Sequence, residues 1–179
     1  GPINLNIEKA AGGIYQQPLP FPTGIYIQPQ SPYQTVFTAQ QDGLLKEISV
    51  AHVTSIPSQS PAGLRITLWQ NPGDVIPLAS AETTSQLGTG GDDSRTILFD
   101  QTPLLLATQT YYLKIELTSL QGLVNVCGEL NVLVQTVDQV SNQSVIVSEP
   151  CTVSFDHPYT VIFVPQVTGA LSALTLQHV

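Results

Sequence analysis

The amino-acid sequence predicts an all-β protein, a jelly-roll-like β-sandwich of about a dozen short antiparallel strands. Three observations support this prediction. Short runs rich in Val, Ile, Thr, Tyr and Phe recur between turn signals at a spacing of about 8–12 residues, as in sandwich domains. No stretch shows the sustained i, i+3, i+4, i+7 apolar stripe of an amphipathic helix. Only 10% of the 179 residues are charged, so neutral polar side chains must supply the surface.

The first 33 residues are predicted to be a separate, proline-rich segment. Proline has no N–H and fixes φ, so this stretch should not stay for long in a helix or a central strand. We expect residues 1–33 to run extended along the surface, or to be a linker from a preceding domain. The opening Gly1-Pro2 resembles the scar left by a tag-removing protease, and we expect the chain to be a piece of a longer protein.

The sandwich is predicted over residues 34–179, and its strands follow in order. Residues 34–39 (QTVFTA) are β-branched and aromatic, and the turn at Asp42-Gly43 leads into a long strand at 44–53. Residues 64–70 (LRITLWQ) alternate apolar and polar side chains, which predicts a strand with one buried face. Pro77 limits residues 75–84 to an edge or interrupted strand. Further strands are predicted at 96–99, 110–117, 123–127, 130–136, 144–147, 152–155, 160–164 and 170–178.

One pattern occurs twice. Residues 42–53 (DGLLKEISVAHV) and 168–179 (TGALSALTLQHV) have a glycine, a leucine, a histidine and a valine at matching positions. The strands before them are also alike, so we interpret 34–53 and 159–179 as an internal repeat of strand, turn and long strand. Two readings stay open. Either an ancestral half was duplicated or a second module begins here, or two strands in equivalent sandwich layers converged on one pattern.

Charge and hydropathy limit the partners. Thirteen acidic residues against five basic ones give a net charge of −8, which argues against nucleic acid and against an anionic membrane surface. No apolar run approaches the roughly 20 residues of a membrane-spanning helix. We therefore expect no direct membrane insertion. The composition favours an extracytoplasmic location: secreted, at the cell surface, or in a membrane-anchored ectodomain.

The two cysteines, Cys127 and Cys151, lie in or beside predicted strands. Strands of one sandwich can bring two Cα atoms within the roughly 4.4–6.8 Å that a disulfide requires. A disulfide and two separate buried thiols therefore both remain open. Neither cysteine belongs to a zinc-binding spacing.

The sequence contains no motif of a known catalytic mechanism: no nucleophile elbow, phosphate loop or zinc-protease helix is present. We therefore expect no catalysis and no cofactor. A glycosidase would need two converging carboxylates, for which Glu116 and Glu129 are candidates. Asp92 and Asp93, in a glycine-rich loop, offer oxygen ligands for a structural calcium, and a solvated acidic turn is the alternative.

Trp69, the single tryptophan, shares a predicted strand face with Arg65, away from the main core. An exposed aromatic ring can stack on the C–H face of a sugar while neighbouring polar groups bond its hydroxyls. Tyr111 and Tyr112 would extend such a platform. The alternative is that Trp69 covers a second, smaller core beneath the N-terminal segment.

Three motifs, VFTAQQDGLL (36–45), LRITLWQ (64–70) and ILFDQTPLLLATQTYYLKI (97–115), resemble extracytoplasmic jelly-roll modules of bacteria, such as carbohydrate-binding and cell-surface domains. In those families the run before the paired tyrosines often reads P-G-T-T-Y-Y, whereas here Ala107-Thr108-Gln109-Thr110 replaces the glycine. The resemblance covers about half of the chain. It implies a β-sandwich fold and an extracytoplasmic location.

Together these observations predict a non-catalytic extracytoplasmic module of a larger bacterial surface or membrane protein. It would bind or position a glycan, an envelope component or neighbouring domains of its parent. Two alternatives stay open. One is a structural subunit of a surface layer, adhesin or appendage that assembles through strand edges. The other is a hydrolase with a dispersed carboxylate site.

Overall fold

The computed structural model describes residues 3–19, 24–56, 63–83, 93–119, 121–151, 158 and 160–176. Within these residues the chain forms thirteen strands, every pairing is antiparallel, and no helix occurs. The predicted all-β class is therefore confirmed. The strands are β1 (Ile3–Lys9), β2 (Ile14–Leu19), β3 (Ile25–Ile27), β4 (Tyr33–Thr38), β5 (Gly43–Ile56), β6 (Leu64–Trp69), β7 (Ala79–Glu82), β8 (Asp93–Leu98), β9 (Leu104–Leu105), β10 (Thr110–Leu117), β11 (Leu123–Gln135), β12 (Val140–Ile146) and β13 (Gly169–Leu176).

The chain divides into two compact units, called here unit 1 (residues 1–23 and 150–179) and unit 2 (residues 24–149). This division differs from the predicted boundary after residue 33. Residues of the proline-rich segment pair with each other as β1 and β2 instead of only running extended. Pro18 lies on β2, an edge strand of its sheet, where a residue without an N–H is tolerated.

Unit 2 is a β-sandwich. One sheet has the order β4-β10-β6-β7, and the other has the order β12-β11-β5-β8, with β3 added on β11 and β9 on β5. Side chains from both sheets form one hydrophobic cluster, in which Ile66 and Ile115 of the first sheet and Ile48 and Val132 of the second are fully buried. Facing sheets whose inner side chains interdigitate are the defining feature of a sandwich.

The alternation predicted for β6 holds except at Thr67, which is only 6% exposed, and β10 follows the same rule. Inward side chains of β10, such as Leu113 and Ile115, are buried, while Tyr112, Lys114 and Glu116 between them remain partly exposed. Because successive side chains on a strand point to opposite faces, the outer face of this sheet carries every second residue of each strand.

β5 and β11 form the longest pair, and β5 contains a bulge near its start. Leu45 pairs with Val134 and Glu47 pairs with Leu133, which leaves Lys46 without a partner residue in the ladder. A bulge shifts the alternation by one residue. As a result Leu45 and Ile48 are both fully buried although they lie three residues apart.

Unit 1 contains a three-stranded sheet of order β13-β1-β2. A small cluster of Ile3, Leu5, Ile7 and Leu19 is buried there, with Val161 and Val167 packed against it. Every side chain of β13 is exposed. The strand predicted at 160–164 is not formed, and the one predicted at 152–155 lies outside the described residues. The proposed repeat of 34–53 in 159–179 remains a prediction as a statement of ancestry.

Candidate functional site

An apolar row crosses the outer face of the four-stranded sheet of unit 2. Trp69 on β6 lies opposite Tyr112 on β10, and Tyr112 lies opposite Val36 on β4. Directly opposite residues of antiparallel strands share a face, so the three side chains are neighbours. Trp69 and Tyr112 are half-buried, and Val36 is 52% exposed. The sheet therefore presents an aromatic and aliphatic surface outside its core, as the sequence predicted for Trp69.

A groove of about 510 Å³ lies along this row. The turn after β6 forms one wall through Pro72, Gly73 and Asp74, while Gln34 and Lys114 add polar groups from β4 and β10. Its volume falls within the range of about 300–1,000 Å³ that is usual for small-molecule sites. Sequence reasoning missed these polar groups, because only the strand register shows that β4 and the β6–β7 turn flank Trp69.

Lys114 holds a defined position in the groove. Its ammonium nitrogen lies 5.2 Å from the centroid of a Trp69 ring, within the distance for a cation–π interaction. The same nitrogen lies 3.5 Å from a carboxylate oxygen of Glu116. These two contacts position a hydrogen-bond donor at the edge of the aromatic surface.

Arg65 lies on the same face, but its guanidinium forms ion pairs with two carboxylates. Its Nη2 atom is 2.6 Å from Oε1 of Glu82, and its Nη1 atom is 3.3 Å from Oε1 of Glu116. The hydrogen bond to Glu82 is the main cause that raises the pKa of the Arg65 guanidinium, and Glu116 adds to it against the opposing effect of burial. Arg65 does not line the groove. Its role is therefore to join β6, β7 and β10.

Tyr111 does not belong to this face. It is buried, its ring centroid is 5.9 Å from that of Phe37, and its hydroxyl accepts a hydrogen bond from the backbone N–H of Leu106 at 2.8 Å. Tyr111 and Tyr112 are consecutive strand residues and must point to opposite faces. The predicted platform therefore keeps Tyr112 and loses Tyr111.

The candidate carboxylate and metal positions are not assembled into a site. Glu116 lies on β10 and Glu129 lies on β11, so the two carboxylates belong to different sheets. Asp92 falls outside the described residues, and Oδ2 of Asp93 lies 3.7 Å from Nη2 of Arg95. Across the described part of the chain, no group of three or more His, Cys, Asp or Glu side chains is placed to hold a metal ion.

A second, larger cavity of about 950 Å³ lies at one end of unit 2. The turn before β5 and the loop between β11 and β12 line it, with Asp42, Lys46, Gln139 and Asp138 among the polar residues. Asp42 has a structural role, because its Oδ1 atom accepts a hydrogen bond from the backbone N–H of Ala107 at 2.7 Å. Among the described residues, no aromatic side chain lines this cavity, so they provide no stacking surface there.

Cys127 and Cys151 are joined in a disulfide bond, which settles the alternative left open by the sequence. Such bonds persist mainly in oxidising compartments outside the cytosol. In the described residues, no helix has the length and apolar character needed to cross a bilayer.

No protein-family model matches this sequence, and no curated protein matches it either.

Proposed function

We propose that this chain is a non-catalytic extracytoplasmic module that binds a glycan in the groove beside Trp69 and Tyr112. The observation that supports this function is the combination of two aromatic side chains with a polar rim on the outer face of a sheet. Neither aromatic ring is needed to fill the core, because inward residues such as Ile66 and Leu113 do so.

The chemistry of the groove fits a neutral or weakly charged sugar. Aromatic rings offer a flat apolar surface to the C–H groups of a pyranose. Hydroxyl groups then need donors and acceptors at the edge of the ring, which Lys114, Asp74 and Gln34 supply in complementary forms. The backbone N–H of Asn71 donates to Oδ2 of Asp74 at 3.1 Å, and this bond fixes the turn that forms one wall.

The disulfide and the scarcity of charged side chains support an extracytoplasmic location. The module would then hold its parent protein against a glycan-bearing envelope component. Binding needs no catalytic group. The carboxylate of Asp74, which lines the groove, accepts a hydrogen bond from the backbone N–H of Asn71, and Glu82 and Glu116 both contact Arg65.

A glycan array identifies the sugar, and isothermal titration with Trp69→Ala tests the site. We expect this variant to weaken binding at least about tenfold, which corresponds to about 1.4 kcal/mol of lost stacking. Tyr26→Ala is the matched control, because Tyr26 is a 50% exposed aromatic residue on β3 of the other sheet and should leave binding unchanged. An array without any bound glycan, or equal affinities of the two variants, would contradict the proposal.

A further inference from the structure

β13 of unit 1 and β5 of unit 2 share an irregularity at matching positions. In the ladder between β5 and β11, Lys46 is skipped. In the ladder between β13 and β1, Ser172 is skipped. Lys46 and Ser172 occupy the same place in the two similar stretches of sequence, 126 residues apart. A bulge fixes the register of a strand, so a shared bulge is a stronger likeness than shared apolar character.

The glycine that opens each strand is also in the same environment. A Cβ atom on Gly43 would overlap Val134 and the backbone of Gln135 on β11. A Cβ atom on Gly169 would overlap the backbone of Glu8 on β1. In both units the neighbouring strand passes too close for any side chain. β1 therefore occupies the same position beside β13 that the end of β11 occupies beside β5.

A glutamine on the next strand makes a distinctive pair of hydrogen bonds in unit 2. Gln143 of β12 donates from Nε2 to the carbonyl oxygen of Thr38 at 2.7 Å. Its Oε1 atom accepts from the backbone N–H of Gln40 at 3.0 Å. The side-chain amide thus uses a donor and an acceptor on one short stretch of backbone.

Gln17 of β2 makes the same pair of bonds in unit 1. Its Nε2 atom donates to the carbonyl oxygen of Val164 at 2.8 Å, and its Oε1 atom accepts from the N–H of Gln166 at 2.9 Å. Val164 and Gln166 follow Thr38 and Gln40 by 126 residues, the same offset that relates Ser172 to Lys46. The likeness therefore extends to residues 3–19, where the sequence shows no clear repeat.

The units differ in what covers the matching apolar face. In unit 2 the apolar side chains of β5 lie beneath the sheet that contains β6 and β10, and they are fully buried. At the matching positions of β13, more than half of each side chain is exposed. The matching pairs are Leu45 (0%) with Leu171 (64%), Ile48 (0%) with Leu174 (55%), and Val50 (0%) with Leu176 (51%).

The segment before β13 differs in the same way. β4 is a strand because it pairs with β10. Residues 160–165 match β4 in sequence, yet they have no partner strand in the described residues and form none. Phe163 is 41% exposed, whereas the matching Phe37 is 6% exposed. In the described residues of unit 1, no strand matches β6 or β10, whereas in unit 2 the sheet that contains both strands covers β5 and its β10 pairs with β4.

We propose that unit 1 is one half of a second sandwich. Its β13 and residues 160–165 form a docking surface for the β10–β6 strand pair of a further copy of residues 54–149. The incoming β10-like strand adds antiparallel to residues 160–165, as an extended segment adds to a free sheet edge. Its apolar face, with residues equivalent to Leu113 and Ile115, covers Leu171 and Leu174. The chain is thereby a module that joins copies of itself in series.

The test supplies the missing strands in the same polypeptide. A second copy of residues 54–149, with Cys127→Ser in that copy, is appended directly after Val179, because Val179 matches Val53. Hydrogen exchange measured by mass spectrometry should slow at least about tenfold over residues 160–165 compared with the unextended chain, since these amides gain strand partners. The control is the same extended chain with Leu174→Asp and Leu176→Asp, in which this protection should be lost.

Two results would overturn the proposal. One is unchanged exchange of residues 160–165 in the extended chain, whether or not the added segment folds elsewhere. The other is a dimer of the unextended chain, detected by light scattering, in which residues 160–165 are already protected. In that case a second copy of the chain as it stands would occupy the surface instead of a further module.

Discussion

At the scale of single residues, Gln143 links the two sheets of unit 2. It lies on β12 of the six-stranded sheet and bonds the backbone at Thr38 and Gln40, at the end of β4 in the other sheet. The sequence could not reveal this link, because glutamine is abundant in the chain and nothing local marks one as structural. For the same reason the sequence could not reveal the structural role of Gln17, which is only 4% exposed despite its polar side chain.

Gln143→Ala should lower the free energy of unfolding by about 1–3 kcal/mol, because two hydrogen bonds of about 0.5–1.5 kcal/mol each are lost. Urea denaturation followed by circular dichroism measures the change. Gln41→Ala is the control. Gln41 is exposed, lies three residues after the end of β4, and its side chain makes none of the bonds described for Gln143, so its replacement should change stability by under about 0.5 kcal/mol. If both variants change the free energy of unfolding equally, the hydrogen bonds of Gln143 do not stabilise the fold.

At the scale of strands, periodicity predicted most of the fold. The alternation in LRITLWQ placed Trp69 outside the core, and the β-branched runs located most of the strands. The predicted platform of Tyr111 and Tyr112 was wrong because it disregarded this alternation, which places consecutive side chains on opposite faces of a strand. Periodicity did fail for residues 160–164. Their sequence is strand-like, but they have no partner strand among the described residues, and a strand forms only by pairing.

The difference between β5 and β13 gives a prediction at this scale. Ile48→Ala should cost about 2–5 kcal/mol, since it leaves a cavity in a fully buried cluster. The matching change Leu174→Ala should cost under about 1 kcal/mol, because that side chain is 55% exposed. Urea denaturation measures the free energy of unfolding of both variants. A loss for Leu174→Ala as large as for Ile48→Ala would mean that β13 is covered in solution.

At the scale of the whole molecule, strand pairing joins the two ends of the described chain, and a disulfide bond closes an internal loop. β1 near the N-terminus pairs with β13 near the C-terminus, and Cys127 is bonded to Cys151. Composition predicted neither the pairing nor the division into two units, because both depend on contacts between residues far apart in sequence. It did indicate the neutral polar surface, and a disulfide bond of this kind persists mainly in oxidising compartments.

The disulfide closes a loop around β12 and most of β11, and its loss should cost about 3 kcal/mol. Reductant should therefore lower the denaturation midpoint of the native protein and increase its intact mass by two hydrogens. The double variant Cys127→Ser and Cys151→Ser should start from the lower midpoint and show no response to reductant. A midpoint of the native protein that does not move on reduction would refute a stabilising role for the bond.

The position of Trp69 has an evolutionary consequence. The outer face of the sheet, on which Trp69 lies, carries side chains that the core does not require. The inward-pointing side chains of the same strands fill the core of the sandwich. Selection can therefore exchange side chains around the tryptophan, and with them the chemistry of the proposed binding groove, at little cost to folding. Related modules would be expected to diverge fastest on this face while their interiors change slowly.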